Sequence, residues 1–173
     1  DLEILACVVC GGSLTLLDEK TTRTRRDQSI LDGTLGCIDC GAGWPIRDGL
    51  PHLYDEATVT GIDRWMRFGY DQIAPFHDFA VDWVLPILQG AAVDRSSYVE
   101  RIELGALTAP DDGRPIRILE VGVGTGANIP LVVEALPEDL PFEIWGIDLS
   151  ERMIQRCQHQ LWGKLRRTTR LFL

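Results

Sequence analysis

Ile118-Leu119-Glu120-Val121-Gly122-Val123-Gly124-Thr125-Gly126-Ala127-Asn128 is the stretch whose reading decides the fold. Ile116, Ile118, Leu119 and Val121 supply the apolar run of a buried strand. Three glycines at alternate positions follow, and without a Cβ their backbone can turn sharply and come close to a ligand. Ala127 to Leu136 can then open a helix, whose free N-terminal amides and dipole face whatever lies over the turn. Glu143-Ile144-Trp145-Gly146-Ile147-Asp148 reads as a second strand ending in an acid, which is placed to accept hydrogen bonds from the two hydroxyls of a ribose. A tight strand-to-helix turn with no ligand is the plain alternative. Against it stand the strand before, the helix after and the acid at the end of the next strand, which are the context a binding turn needs.

The spacing Gly-x-Gly-x-Gly, preceded by Glu120, differs from the Gly-x-Gly-x-x-Gly of nicotinamide enzymes. It resembles motif I of the class I S-adenosylmethionine (SAM) methyltransferases, and Gly146-Ile147-Asp148-Leu149-Ser150-Glu151-Arg152-Met153 resembles the motif that follows it. The resemblance implies a Rossmann-like α/β domain with SAM as cofactor. It implies that Gly122, Gly124 and Gly126 pass close to the amino-acid and ribose parts of the cofactor, that Glu120 orients its methionine end, that Asp148 takes the ribose hydroxyls and that Leu149 packs near the adenine. Thr125 and Asn128, at the helix start, are further cofactor candidates. No motif places a catalytic base.

The chain has 173 residues, enough for one medium domain or a small module plus part of a larger one. Its 45% hydrophobic and 25% charged content is that of an ordinary globular protein. No apolar run approaches the roughly 20 residues that span a bilayer, and Asp1-Leu2-Glu3 lacks the basic region of a secretory signal; the expected location is the cytoplasm. The net charge of −9 disfavours a large phosphate-binding surface. Arg152, Arg156, Lys164, Arg166, Arg167 and Arg170 make the C-terminal end locally basic, which reads as a solvated helix face and the loop after it.

Residues 1–54 form the first expected unit. Cys7-Val8-Val9-Cys10 and Cys37-Ile38-Asp39-Cys40 are two Cys-x-x-Cys pairs, each able to put two thiolates on one tight knuckle, and two knuckles complete a tetrahedral site for Zn²⁺. Gly11-Gly12 and Gly41 follow the pairs, where a knuckle needs permissive backbone. Two disulfides or a redox Cys-x-x-Cys are the alternatives; a cytosolic setting disfavours the first and the lack of a βαβ pattern here disfavours the second. Four thiolates leave no open position, so the metal would be structural. Leu14-Thr15-Leu16-Leu17 and Leu31-Asp32-Gly33-Thr34-Leu35 read as strands, Asp18 to Ser29 as a polar loop, and Trp44-Pro45-Ile46-Arg47-Asp48-Gly49-Leu50-Pro51 as a hairpin with an Asp-Gly turn. These residues resemble the zinc-ribbon family that includes the small activator subunit of tRNA and rRNA methyltransferases. That resemblance implies an interaction module, and hence a protein partner reached through the ribbon.

Residues 55–108 read as a helical bridge, opening near Asp63 to Met66. Phe68-Gly69-Tyr70-Asp71-Gln72-Ile73-Ala74-Pro75-Phe76-His77-Asp78 resembles the opening segment of methyltransferases that act on quinones, lipids and other small molecules. In such enzymes the segment lies over the cofactor pocket and an aromatic side chain lines it, which makes Tyr70 the candidate here. His77 stands where the family often has Tyr and reads as a capping or surface histidine. Trp65, Phe68, Phe76, Phe79 and Trp83 are expected in a core, Pro86 ends or kinks the helix begun near Phe76, and Ser96 or Ser97 caps the next, with Tyr98, Val99, Ile102 and Leu104 on its apolar side.

Residues 109–173 begin the SAM-binding domain. Ser150 is an N-cap for a helix with Met153, Ile154, Cys157 and Leu161 on its apolar face, Cys157 being a buried inert thiol. A third strand starts at Thr169. A parallel sheet needs both faces covered, and the resembled domain has more strands than the three found here, so a fragment of a longer protein, or a sheet completed by another chain, is expected. The fold class is therefore α/β: a four-cysteine zinc ribbon, a helical bridge and the first part of a Rossmann-like sheet. The expected activity is SAM-dependent methyl transfer to a small molecule such as a quinone, lipid or secondary metabolite. Methylation of a base in ribosomal or transfer RNA, with the ribbon gripping RNA, is one rival, and a non-catalytic adaptor of a methyltransferase complex is another.

Overall fold

A computed structural model describes residues 2–23, 30–84, 87, 95–161 and 169–172. Two compact units divide the chain, the first built mainly from Asp1–Thr60 and the second from Gly61–Leu171.

In the first unit, β1 (Leu14–Arg23), β2 (Ile30–Cys37), β3 (Gly43–Arg47) and β4 (Leu50–Pro51) form one antiparallel sheet in that order. Leu35 pairs with Leu16 on one side and Trp44 on the other, so alternation places Leu14, Leu35, Cys37, Trp44 and Ile46 in one small core together with Cys7. The Asp-Gly turn forms as expected: Arg47 pairs with Leu50 across Asp48 and Gly49, whose φ values of 49° and 78° are those of a two-residue hairpin turn. The expected loop over 18–29 is shorter than read, because β1 runs on to Arg23 and β2 starts at Ile30, with Thr22 opposite Asp32. Ladder hydrogen bonds need no apolar side chains, so the polar composition of this segment hid the strand. Residues 24–29 lie outside the described residues.

The second unit opens with α1 (Gly61–Ile73), then α2 (His77–Phe79), which runs into a π-helical turn at Ala80–Val84, and α3 (Arg95–Glu100). Then follow β5 (Ile116–Val121), α4 (Ile129–Ala135), β6 (Phe142–Ile147), α5 (Glu151–Leu161) and β7 (Thr169–Phe172). The sheet order is β5-β6-β7, and β5 and β6 are parallel from Ile116 opposite Phe142 to Val121 opposite Ile147. A strand, a helix and a parallel strand make the βαβ unit that the pattern implied. Met153, Ile154, Cys157 and Leu161 are all buried on one face of α5, and the hydroxyl of Ser150 accepts the Met153 amide at 3.3 Å as its N-cap.

Several expectations fail. The helix after the glycines starts at Ile129 rather than Ala127, because residues 126–128 are still turning and Pro130 suits only a first helical turn. Leu119 and Val121 are exposed while Ile116 and Ile118 are half-buried. The strand is therefore covered on one face among the described residues, not on both. Ser96 and Ser97 fall inside α3 rather than ahead of it, where a cap would stand; Val99 and Leu104 are buried, but Tyr98 and Ile102 are exposed. The aromatic residues of the bridge are not core: Trp65, Phe68, Phe76, Phe79 and Trp83 are each more than half exposed, since α1 buries none of its residues. Pro86 lies outside the described residues.

Candidate functional site: a four-cysteine centre and a glycine turn

The two knuckles of the first unit have the same construction. Gly11 donates its amide to the Cys7 carbonyl and Gly41 to the Cys37 carbonyl, while Cys7 and Cys37 donate to Gly12 and Ala42. Gly11 and Gly41 sit at φ values of 73° and 75°, which is why glycine follows each second cysteine. The sulfurs of Cys7, Cys10, Cys37 and Cys40 all lie within 4.8 Å of one another. Cys7 Sγ is 3.7 Å from Cys40 Sγ, and Cys10 Sγ is 3.5 Å from Cys37 Sγ. Those separations are too long for S–S bonds of about 2 Å and match the edge of about 3.8 Å of a tetrahedron with zinc–sulfur bonds of about 2.3 Å.

The charge distribution points the same way. Burial opposes ionisation of Cys7, but the amides of Cys10 and Val9 outweigh it and bring its pKa down to about 6. At Cys10 the Gly12 amide favours the thiolate, yet the thiols of Cys40 and Cys37 prevail and push it up to about 12. A cluster that takes one negative charge readily and resists a second is one that a dication completes. The buried indole N–H of Trp44 has no hydrogen-bond partner among the described oxygens and nitrogens, and it is one of the groups that favour the Cys7 thiolate. The four cysteines can hold zinc; Trp44 was missed in the sequence, where it read only as a strand residue.

In the second unit the glycine turn is drawn as the motif requires. Gly122, Gly124 and Gly126 all have positive φ, at 71°, 56° and 78°. A Cβ on Gly122 would meet nothing within 4 Å, so the backbone there faces open space, whereas one on Gly126 would collide with Cys157. The two glycines thus differ: Gly122 borders open space, whereas Gly126 is required by the packing of Cys157. Asp148 follows β6 and holds the turn: Gly124 donates its amide to Oδ2 and Ser150 to Oδ1, each at 2.8 Å. Each carboxylate oxygen keeps capacity for a further donor. Leu149 beside it is half-buried. Glu120, half-buried at the end of β5, accepts one hydrogen bond from Asn128 Nδ2 at 3.0 Å, and burial raises its pKa in spite of Asn128 and the charge of Arg95. Asn128 therefore bonds to Glu120, not to a helix amide.

The bridge residues reach the same turn. The buried hydroxyl of Thr125 donates to Asp78 Oδ1 at 2.5 Å, and Ser150 Oγ donates to Asp71 Oδ1 at 2.5 Å. Gln160 donates to Asp78 Oδ2 at 3.1 Å, His77 Nδ1 lies 3.4 Å from Oδ1, and Arg95 pairs with Asp78 and donates to Asn128 Oδ1. Burial works against the Asp78 carboxylate, but Thr125, Gln160 and His77 lower its pKa overall. Tyr70, more than a third exposed on α1, packs its ring 6.0 Å from that of His77. All nine residues read as cofactor candidates fall in this unit, which brings Glu120, Thr125, Asn128, Asp148 and the glycines to one turn. Asp71, Asp78, Arg95 and Gln160 carried no role in the sequence reading. The available signal was two acids seven residues apart, on either side of the apolar run Ile73-Ala74-Pro75-Phe76.

Fold and sites define a chain of two parts, a four-cysteine ribbon and a βαβ unit with an acid-anchored glycine turn. Residues 2–49 match the family model of Trm112p-like proteins, so the N-terminal domain is a Trm112p-like zinc ribbon. No curated protein matches the chain. Among solved structures it is similar to one from Methanococcus maripaludis described as a candidate S-adenosyl-L-methionine-dependent methyltransferase, at 16% identity and a TM-score of 0.38, over 61% of this chain and 40% of that one. The chain thus spans less than half the length of that structure, and a likeness of this size decides neither fold nor activity. No described helix is long and apolar enough to cross a membrane.

Proposed function

We propose that the second unit is the cofactor-binding part of a SAM-dependent methyltransferase and that the first is a structural zinc ribbon attached to it. The observation that carries the reading is the turn itself: three left-handed glycines in a row of five, open above Gly122, held by the acid that ends the next parallel strand. On this reading SAM supplies an electrophilic methyl group for in-line transfer, and the protein contributes orientation and proximity. Gly122 lets the backbone approach the cofactor. The remaining acceptor capacity of Asp148 suits ribose hydroxyls, and Leu149 offers an apolar edge for adenine. Glu120 is a half-buried acid that accepts one neutral donor and feels the charge of Arg95, and a ligand ammonium would favour its ionised form further.

A small, apolar acceptor fits best. The exposed aromatic run from Trp65 to Trp83 supports that choice, as does the net charge of −9 against RNA. In the ribbon, Zn²⁺ on Cys7, Cys10, Cys37 and Cys40 would be closed to substrate, and the Trm112p-like match supports a protein partner for this module. The same match favours one second reading, an adaptor that regulates another methyltransferase without catalysis of its own.

Calorimetric titration of the zinc-loaded protein with S-adenosylhomocysteine separates the two. Micromolar binding is expected, weakened in Asp148→Asn and lost in Asp148→Ala by the roughly 1.5–3 kcal/mol of a charged hydrogen-bond set. A folded, zinc-loaded protein that binds nothing moves the assignment to the adaptor.

A further inference from the structure

A turn built from three glycines is entropically loose, because glycine gives up more backbone freedom on ordering than any other residue. Something outside the turn has to hold it. Gly124 is held by Asp148, just past the end of β6, and Asn128 by Glu120 of β5. Thr125, between the second and third glycines, is held by neither. Its hydroxyl is buried and bonds to Asp78, 47 residues away on α2.

Resting on the cofactor reading above, we propose that Asp78 is the positioning residue of the cofactor turn, clasping it from the bridge through Thr125. Two features single it out. Its two oxygens are shared among elements far apart in sequence, Thr125 and Arg95 on one and Gln160 of α5 on the other. Arg95 extends the clasp to Asn128, which in turn donates to Glu120, so one chain of polar contacts joins Asp78 to the acid beneath the cofactor's methionine end. A second stitch, Ser150 to Asp71, secures the opposite rim at the start of α5, next to Asp148. The bridge thus sets the geometry of the pocket, and the segment Tyr70–Asp78 acts through its acids as well as its rings. Asp78 touches no cofactor atom in this scheme; it acts through Thr125.

The test is a double-mutant cycle on S-adenosylhomocysteine affinity, with thermal stability recorded for every variant. Asp78→Ala and Thr125→Val are each expected to weaken binding about tenfold, the worth of one charged hydrogen bond. The double variant is expected to be no weaker than the worse single, because both remove the same contact. Thr125→Ser keeps the hydroxyl and is expected to bind within about twofold of the parent. If Asp78→Ala does not fold, the difference between Thr125→Val and Thr125→Ser reads the same bond. Additive losses would mean that Thr125 meets the cofactor directly and would overturn the clasp, as would unchanged affinity in both singles. A parent protein that binds no S-adenosylhomocysteine overturns the cofactor reading itself, an outcome that the variants do not enter.

Discussion

Gly126 and Cys157 are matched to each other: a Cβ on Gly126 would stand 2.5 Å from the Cys157 sulfur, closer than any real side chain tolerates. The third glycine of the turn is therefore fixed by the helix that follows the second strand. Gly126→Ala combines a left-handed backbone with overpacking, together costing about 2–4 kcal/mol of stability. Cys157→Ala should relieve only the packing part, so the double variant is expected to melt above Gly126→Ala alone. Equal melting temperatures would show that the contact is slack.

Burial of Glu120 works against stability, and on the proposed reading it does so in exchange for cofactor binding. Burial raises its pKa above the ordinary value of 4.5, so the ionised form costs stability at every pH above that value. Glu120→Gln is expected to melt higher than the parent at pH 7 and to lose that advantage below about pH 4, where the parent's carboxyl is protonated too. Its affinity for S-adenosylhomocysteine should fall at the same time. A variant less stable than the parent at pH 7 would show that the Asn128 bond outweighs the burial.

Asp78 has the opposite sign. Its pKa is lowered from 3.8, so its interactions stabilise the protein fully above the unfolded value and are lost as pH falls through the lower folded value. Comparing melting temperatures of the parent and Asp78→Asn should show the largest gap near pH 6 and a shrinking gap as the solution is acidified below pH 4. A gap independent of pH would assign the effect to shape, not charge.

Metal removal should act on the ribbon first. A core of six buried residues is small, and structural zinc supplies on the order of 10 kcal/mol of folding energy in such modules. On chelation, amide exchange in β2 and β3 is expected to become fast while β5 and β6 stay protected. Cys37→Ser should reproduce this without a chelator. Protected β2 amides in the metal-free protein would show that the sheet stands on its apolar contacts alone.

The features that could be read in advance are those settled by near neighbours. The Cys-x-x-Cys knuckles, the Asp48-Gly49 turn, the Ser150 cap and the buried face of α5 each depend on residues within about one turn of each other. The bridge was legible in its helical content but not in its burial. Trp65 and Phe76 read as core by residue type, yet exposure is set by what else packs nearby, which composition does not carry.

The sequence by itself pointed to the two Cys-x-x-Cys knuckles, the strand that leads into the glycine turn and the acid at the next strand's end, because spacing and backbone permissiveness are local properties. Only the tertiary structure decided that Thr125 answers to Asp78 and Ser150 to Asp71, across separations of 47 and 79 residues. A hydrogen bond needs a partner within about 3 Å in space and is indifferent to distance along the chain, so these pairings existed only once the helices had been laid against the turn.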